Sequence, residues 1–381
     1  MTQTRNLHYY MRNIVISFIL ASTIVGVACA QATLVPDIDV IEKAKVLEVS
    51  DATTSSELAI ERKIQTLKVE ILEGLDEGKI ITFKNDSPTQ LSKDELFYIR
   101  HQKDTFSDND YWIVSDPYRL DVLLYLLLMF LVLLFLFGGL QGIRGLASLA
   151  GSLVLIFYVL IPGILEGYSA TITSIGVASL IIITGSYITH GFTRTTSSAV
   201  LGMIATVIVV GLVTYYAIYS GRLTGFSSEE SMYLSMNSQG IINMVGLLFG
   251  GIMIGLLGVL YDIAIGQAVA VEELYRAGHH LTRKEIYRRA IRIGREHIGA
   301  LVNTLAIAYV GVALPLILLA TQTKGTGLLP IINSEIFATE AVRILVGSMG
   351  LIIAVPITTG IATYMLSHME GKGGSTHSHK H

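Results

Sequence analysis

One aspartate stands within a long apolar stretch of this sequence. Residues 241–271 are dominated by apolar and small side chains, and Asp262 is the only residue among them that is charged at neutral pH. A carboxylate inside a bilayer is costly unless it is protonated, paired or hydrated. If a helix crosses the membrane over 246–270, Asp262 is a natural proton-coupling group. If the span ends at Tyr261, Asp262 is an ordinary residue at the cytoplasmic end of a helix.

Three polar residues begin a second apolar stretch further along the chain. His297 and Thr304 are seven residues apart, a spacing that places both on one helix face, where they can approach Asp262. Asn303 lies to the side of that face. One interpretation makes these residues a proton relay with Asp262; the other makes them ordinary hydrogen-bonding residues between helices.

Other kinds of chemistry find little support in the sequence. Cys29 is the only cysteine, so neither a disulfide framework nor a cysteine metal site can be built from this chain alone. The adjacent His279 and His280 do not face the same way on a helix, and we expect no metal and no cofactor. An intramembrane protease would need a second membrane aspartate, and a zinc protease a His-Glu-x-x-His motif. The protein is therefore predicted not to be an enzyme.

Composition predicts a membrane protein. Hydrophobic residues make up 51% of the 381 and charged residues 15%, against about a quarter charged in soluble domains. The net charge of −3, without a dominant basic block, argues against nucleic acid as a partner. Seven apolar stretches are each long enough to cross about 30 Å of hydrocarbon as a helix. They lie at 121–140, 146–165, 170–189, 199–219, 241–263, 300–319 and 342–366. The predicted fold is mainly α, a polytopic helical bundle of seven core spans over residues 120–366.

Two segments precede this bundle. Residues 1–30 carry Arg5 and Arg12, an apolar run and Ala28-Cys29-Ala30, the order of a secretory signal peptide cleaved after Ala30. The alternative is an uncleaved membrane anchor. Residues 31–119 are rich in charge and alternate with period two over 64–72 and 79–83, with a further strand at 110–115. These patterns predict a small extracytoplasmic β-barrel or sandwich that docks a partner.

The distribution of lysine and arginine predicts the orientation. If the N-terminus is inside, the short cytoplasmic segments hold most of these residues, including seven from Arg276 to Arg295, whereas the short external loops hold Arg222 and Lys324. The positive-inside rule favours this topology. We therefore predict a multi-pass protein of the plasma membrane with residues 31–119 outside. A disordered tail, 367–381, would lie in the cytoplasm.

Several motifs along the apolar part of the chain occur together. They are Gly191-Phe-Thr-Arg194, Leu223 to Glu230, Gly258 to Asp262, Glu272-Glu273, Ile293 to Ala300 with Asn303-Thr304, and Asn333-Ser-Glu335 to Arg343. In these motifs the chain resembles the YibE/F family of multi-pass bacterial membrane proteins. The resemblance covers about residues 40–366 and implies a polytopic topology, in the plasma membrane of a Gram-positive bacterium. It implies no particular activity.

A second resemblance concerns mechanism. From Gly258 to Pro315, the order of Gly, Asp, Glu and Arg residues is similar to that of two successive spans of RND exporters and of the SecD/SecF export pair. In those proteins an intramembrane aspartate near the position of Asp262 carries proton coupling. This chain differs in having one such aspartate rather than two, and a single small external domain.

These observations predict two functions of different classes. The first is a proton-coupled transporter or translocase of unknown substrate. The second is a non-transporting membrane scaffold whose domain at 31–119 docks an envelope protein. The lipid bilayer is the partner common to both, and a homo-oligomer is compatible with either.

Overall fold

The computed structural model describes residues 40–51, 64–103, 110–238, 240–278, 281–322 and 327–367. The chain divides into two compact units, with the boundary between Gly138 and Gly139. The predicted signal or anchor segment, Cys29, His279 and His280 lie outside the described residues, as does the tail after Ser367.

The first unit contains a five-stranded antiparallel sheet. Its strands are β1 Val40–Asp51, β2 Gln65–Glu73, β3 Ile80–Asn85, β4 Leu96–Lys103 and β5 Asp110–Pro117, in the order β3-β2-β1-β4-β5. The three strands predicted from alternation correspond to β2, β3 and β5, while β1 and β4 were not among them. Gly74 and Gly78 have φ of 132° and 83°, so glycine supplies the turn between β2 and β3 that the sequence predicts.

One face of this sheet forms a small apolar core. Seven of its side chains are fully buried, namely Ala44, Val46, Leu67, Val69, Ile71, Phe97 and Ile99. The sheet is curled, and Lys79 Nζ, just before β3, lies 5.6 Å from the ring centroid of Trp112 in β5. Trp112 also stacks on His101, with ring centroids 4.3 Å apart. The described residues form one curled sheet, so the sandwich alternative is wrong for this part of the chain.

A long apolar helical stretch follows the sheet. Helix α1 runs over Leu120–Leu155 and continues through a π-helical turn, Ile156–Leu160, into α2, Ile161–Leu165. The helical backbone breaks at Gly139, where φ is 52° and ψ is −141°. The first two predicted spans therefore lie in a helical stretch of 46 residues that is divided by a kink at Gly139. The kink falls at the end of the first predicted span because glycine tolerates this backbone conformation.

The second unit is a helical bundle. Its remaining helices are α3 Ala170–His190, α4 Arg194–Ser220, α5 Glu229–Asn237, α6 Met244–Ala277, α7 Arg283–Val312, α8 Leu314–Gln322, α9 Leu328–Ile332 and α10 Glu335–Leu366. Among the described residues, five helical stretches are long and apolar enough to cross a membrane, and a sixth if α7 and α8 form one bent span. The protein is a mainly helical membrane protein. Seven spans are not confirmed.

Helix α7 differs from its predicted course. Thr282, three residues before Glu285, predicts a capping box at the beginning of this helix. The structure confirms it: the Thr282 hydroxyl accepts a hydrogen bond from the Glu285 N–H, and the Glu285 carboxylate accepts one from the Thr282 N–H. The sequence predicts a surface helix that turns into the bilayer near Gly299, but α7 is continuous through Gly299. The chain bends instead by 60° between α7 and α8, next to Pro315, whose ring and missing N–H disrupt a helix.

Helix α6 lies at the centre of the bundle and packs against α3, α4, α7 and α10. Its neighbours approach closely where one residue is small. A Cβ added at Gly250 would clash with Ser174 Oγ of α3. Similarly, a Cβ added at Gly202 of α4 would lie 2.5 Å from Thr358 Oγ1 and 2.9 Å from Thr358 Cα of α10. Small residues that allow close backbone approach are the usual means of helix packing in lipid.

We therefore expect Gly202→Ala to lower the free energy of unfolding by about 1–3 kcal/mol, because the added methyl group overpacks the contact between α4 and α10. Thermal unfolding of the purified protein in detergent, followed by far-ultraviolet circular dichroism, measures the effect. Gly176→Ala in α3 is the matched control, since a Cβ there meets nothing within 4 Å. Equal unfolding temperatures for the two variants would contradict the close contact.

Candidate functional site

Asp262 lies in the middle of α6. The helix runs from Met244 to Ala277, so at 1.5 Å per residue Asp262 is about 27 Å from the beginning and about 23 Å from the end. The helix does not end at Tyr261. The Asp262 side chain is exposed on the surface of the isolated chain, which for a bundle in lipid means that it faces hydrocarbon, a water-filled path or another polypeptide.

The surface around Asp262 is built from glycine. Gly251, Gly258 and Gly266 are exposed, and a Cβ added at any of them would meet nothing within 4 Å. Together with Asp262 they lie on one side of the helix, at intervals of seven, four and four residues. We call these four residues the open glycine face.

Tyr261, next to Asp262, ties α6 to the neighbouring helix α3. Its hydroxyl donates a hydrogen bond of 3.2 Å to the Gly185 carbonyl oxygen, and its ring centroid lies 5.9 Å from that of His190. These contacts hold α6 against the end of α3 beside the carboxylate. A change in the charge of Asp262 would therefore act next to an established helix contact.

Helix α7 passes Asp262 with the other three predicted site residues. A Cβ at Gly294 would lie 2.7 Å from Gln267 Nε2, and one at Gly255 would lie 2.9 Å from the Tyr309 hydroxyl. These two contacts bracket Asp262 on α6. The stretch of α7 between Gly294 and Tyr309, which contains the predicted relay residues, is therefore at the level of Asp262.

The hydrogen bonds that the structure shows for the relay residues are local to α7. His297 Nδ1 lies 3.0 Å from the Ile293 carbonyl oxygen, and the Thr304 hydroxyl donates 2.9 Å to the Ala300 carbonyl oxygen, both within α7. His297, Asn303 and Thr304 are all exposed. Among the described residues, no hydrogen bond or ion pair joins any of them to Asp262. The four residues share a level in the bundle rather than one connected network.

A buried amide lies one turn beyond Asp262 on a different side of α6. Gln267 is only 2% exposed and accepts a hydrogen bond of 2.9 Å from the Thr359 hydroxyl of α10. Gly294 of α7 approaches the same amide. Gln267 thus joins α6 to α10 at a point where α7 also packs closely, and we interpret it as a structural residue.

The last turns of α6 form a second polar cluster. Glu272 accepts a hydrogen bond of 2.6 Å from the Thr195 hydroxyl, at the beginning of α4, and pairs with Arg276 one turn further along α6. The Tyr275 hydroxyl donates 3.0 Å to the Thr363 carbonyl oxygen of α10. This end of the bundle is fixed by tertiary hydrogen bonds.

The opposite end of the bundle is held by carboxylates of α10. Glu335 accepts hydrogen bonds of 2.7 and 2.9 Å from the N–H groups of Thr224 and Gly225. Glu340 pairs with Arg343 at 2.7 Å, and Arg343 lies 5.9 Å from the ring centroid of Tyr309 in α7. The spacing of Glu340 and Arg343 in the sequence predicts an ion pair at this outer end of the last span, and the pair is present.

A cavity of about 680 Å³ opens near the same end, between α3, α4 and α6. Its lining residues are Thr171, Tyr215, Ile218, Tyr219, Arg222, Leu223, Thr224, Asn243, Val245, Gly246 and Phe249. Asp262 lies four turns further along α6. Nowhere in the described ranges do three or more His, Cys, Asp or Glu side chains gather as a metal site would require.

Comparison with known proteins identifies the family. A family model described as YibE/F-like protein matches residues 126–368, which is more than half of the chain. The protein belongs to the YibE/F-like family. No curated protein and no solved structure matches the chain.

The YibE/F-like region contains the whole candidate site. Asp262, His297, Asn303 and Thr304 lie inside it, and so do the cavity and both polar clusters. The five strands precede it. None of the comparisons shows a relationship with RND exporters or the SecD/SecF pair, so that resemblance stays a prediction.

Gln267 and the contact between Thr195 and Glu272 were not predicted from the sequence. The amide was the available signal, because Gln267 interrupts the small and apolar run that follows Asp262. Glu272 was singled out only as part of a charged motif. Its partner Thr195 is 77 residues earlier in the chain, and no local pattern joins residues so far apart.

We expect Thr195→Val to lower the free energy of unfolding by about 1.5–3 kcal/mol, the usual contribution of a hydrogen bond to a charged group. Thr184→Val is the control, because the Thr184 hydroxyl donates within α3 to the Leu180 carbonyl oxygen. Circular dichroism melts of both variants in detergent measure the difference. A Thr195→Val protein that unfolds at the same temperature as Thr184→Val would make the bond to Glu272 energetically unimportant.

Proposed function

We propose that this protein is a proton-coupled transporter or translocase in which Asp262 takes up and releases the proton. The observation that carries the proposal is the position of Asp262, in the middle of the central helix and on its open glycine face. Protonated, the side chain is tolerated in hydrocarbon; ionised, it requires water or a partner. One proton therefore changes the preferred surroundings of α6.

The packing of α6 supplies a way to transmit that change. The helix contacts α3, α4, α7 and α10, so a small shift of α6 moves contacts throughout the bundle. A transporter needs two arrangements of similar free energy that a bound ion can bias. His297, Asn303 and Thr304, at the level of Asp262, are the groups that would hydrogen-bond to it or hold water beside it in one of those arrangements.

A different observation favours the second function, a scaffold that docks an envelope protein. Leu75 at the β2–β3 turn is 85% exposed, and Ile41 and Ile113 on β1 and β5 are 51% and 43% exposed. Exposed apolar side chains of this kind provide contact area for a protein partner. In a scaffold, neutralising Asp262 would leave partner docking unchanged. The variant Asp262→Asn therefore separates the two functions.

We also propose seven crossings in the plasma membrane, with the sheet outside and the C-terminus in the cytoplasm. Each half of the apolar stretch at 120–165 is long enough to cross alone: 19 residues precede Gly139 and 26 follow it, which is about 28 and 39 Å of helix. A kink that opens backbone hydrogen bonds is tolerated best where water can reach it. Gly139 therefore suits a membrane boundary between two crossings.

Single-cysteine labelling tests the crossings. In a Cys29→Ser background, Asp116→Cys before α1 and Glu166→Cys after α2 are expected to react with a membrane-impermeant maleimide from the same side of intact cells. Two crossings of the stretch at 120–165 require this result. Labelling of Glu166→Cys only after permeabilisation would mean that the 46 residues cross once.

Labelling with a hydrophobic carbodiimide tests the proton site. We expect Asp262 to react at neutral pH in proteoliposomes, because the reagent partitions into lipid and attacks protonated carboxyl groups. Glu273 is the control, as an exposed carboxylate near the end of the same helix. Labelling is mapped by mass spectrometry, with Asp262→Asn as the blank. An Asp262 no more reactive than Glu273 would remove the basis for proton coupling.

Proton flux is the functional readout that follows. Proteoliposomes loaded with a pH-sensitive dye and given a pH gradient are expected to equilibrate at least tenfold more slowly with Asp262→Asn than with the unaltered protein, whereas Glu273→Gln is expected to behave normally. Equal rates for all three proteins would favour the scaffold.

A further inference from the structure

The cavity between α3, α4 and α6 has the size and the mixed lining of a ligand site. Its volume of about 680 Å³ falls within the range of about 300–1,000 Å³ that is usual for small-molecule pockets. Ile218, Leu223 and Phe249 provide apolar walls, while Thr171 and Asn243 add hydrogen-bonding groups. No residue that lines it carries a carboxylate.

Arg222 gives this cavity a positive charge. It is the lining residue with a full charge, and it forms no ion pair with the residues that the structure describes. Its backbone lies in the left-handed region, with φ of 51°, which costs an L-residue about 1–2 kcal/mol. The loop around it is held by Glu335, which binds the N–H groups of Thr224 and Gly225. The backbone that carries Arg222 is thus fixed by tertiary contacts, while the Arg222 side chain is exposed.

The beginning of α6 adds to this positive potential. Asn243 caps the helix by accepting a hydrogen bond from the Gly246 N–H at 3.1 Å, and both Val245 and Gly246 line the cavity. The first N–H groups of a helix carry partial positive charge. The helix end and Arg222 therefore both border the cavity, and the Glu335 carboxylate near them is occupied by hydrogen bonds from Thr224 and Gly225.

Two tyrosines indicate the depth of the cavity in the membrane. Tyr215 and Tyr219 line it, stack with ring centroids 6.1 Å apart, and are 60% and 77% exposed. Tyrosine is enriched where lipid headgroups meet the hydrocarbon. In a membrane, this pair suits the headgroup level, which would put Arg222 near the headgroups and the apolar walls nearer the acyl chains.

We propose that this cavity binds an anionic phospholipid, with the phosphate at Arg222 and the beginning of α6 and an acyl chain along Phe249 and Ile218. A lipid matches the anion site, the apolar walls and the exposed tyrosines together, whereas a soluble anion matches only the first. The proposal requires the bundle to lie in a membrane and does not depend on proton coupling by Asp262.

Native mass spectrometry of the full chain in detergent tests the proposal. Titration with phosphatidylglycerol is expected to give tighter binding than titration with phosphatidylcholine, and Arg222→Gln is expected to weaken phosphatidylglycerol binding about tenfold, since the lost contact is a charge-assisted hydrogen bond. Arg194→Gln is the control, because Arg194 begins α4 at its other end. An affinity unaffected by Arg222→Gln would overturn the proposal.

A second variant leaves Arg222 in place. Val245→Trp fills the cavity and is expected to reduce phosphatidylglycerol binding, while Leu212→Trp, on an exposed side of α4, is expected to leave it unchanged. Inorganic phosphate distinguishes the two sources of the anion. Two results together would mean a soluble-anion site and would overturn the lipid assignment. They are displacement of phosphatidylglycerol by millimolar phosphate and undiminished phosphate binding by Val245→Trp.

Discussion

Close approach of neighbouring helices to α6 is the contact on which the bundle depends. In lipid there is no hydrophobic force between apolar helices, so packing and hydrogen bonds must hold them together. Gly250 of α6 allows contact with Ser174, and Gly294 of α7 allows contact with Gln267. The hydrogen bond from Thr359 to Gln267 then fixes α10 at the same point. Each of these contacts requires a small or specifically polar residue, which accounts for Gly250 of α6 but not for the glycines of the open glycine face, where a Cβ would meet nothing within 4 Å.

The polar residues of the bundle fall into two groups with different surroundings. Gln267 and Thr195 are buried and hydrogen-bonded to other helices. Asp262 and His297 are exposed and form no tertiary hydrogen bond within the described chain. The first group stabilises one arrangement of the helices. The second group is free to change its surroundings, as a group that exchanges protons must be, and this contrast supports the proposal that Asp262 takes up and releases a proton.

The sequence was sufficient for the helices but not for their partners. Hydropathy placed the apolar stretches in which the long helices lie, because segment length in lipid follows from bilayer thickness, but the predicted seven spans are not confirmed. The Thr282 capping box was predicted correctly from local spacing. The bend predicted at Gly299 was wrong, because a glycine can remain in helical conformation. The break at Gly139 depends on a backbone φ of 52°, which no sequence pattern reveals. Contacts such as Thr195 with Glu272 join residues from distant parts of the chain, so they emerge only from the packed bundle.

The position of Trp112, which stacks on His101 within the sheet, has a spectroscopic consequence. Trp112 is the only tryptophan in the protein, and it lies in β5 of the curled sheet. Intrinsic tryptophan fluorescence therefore comes entirely from the unit before Gly139 and contains no signal from the helices that follow. Circular dichroism, in contrast, is dominated by those helices. The two optical methods read the two units separately in the unlabelled protein, so a difference between their melting curves would reveal whether sheet and bundle unfold as one cooperative system.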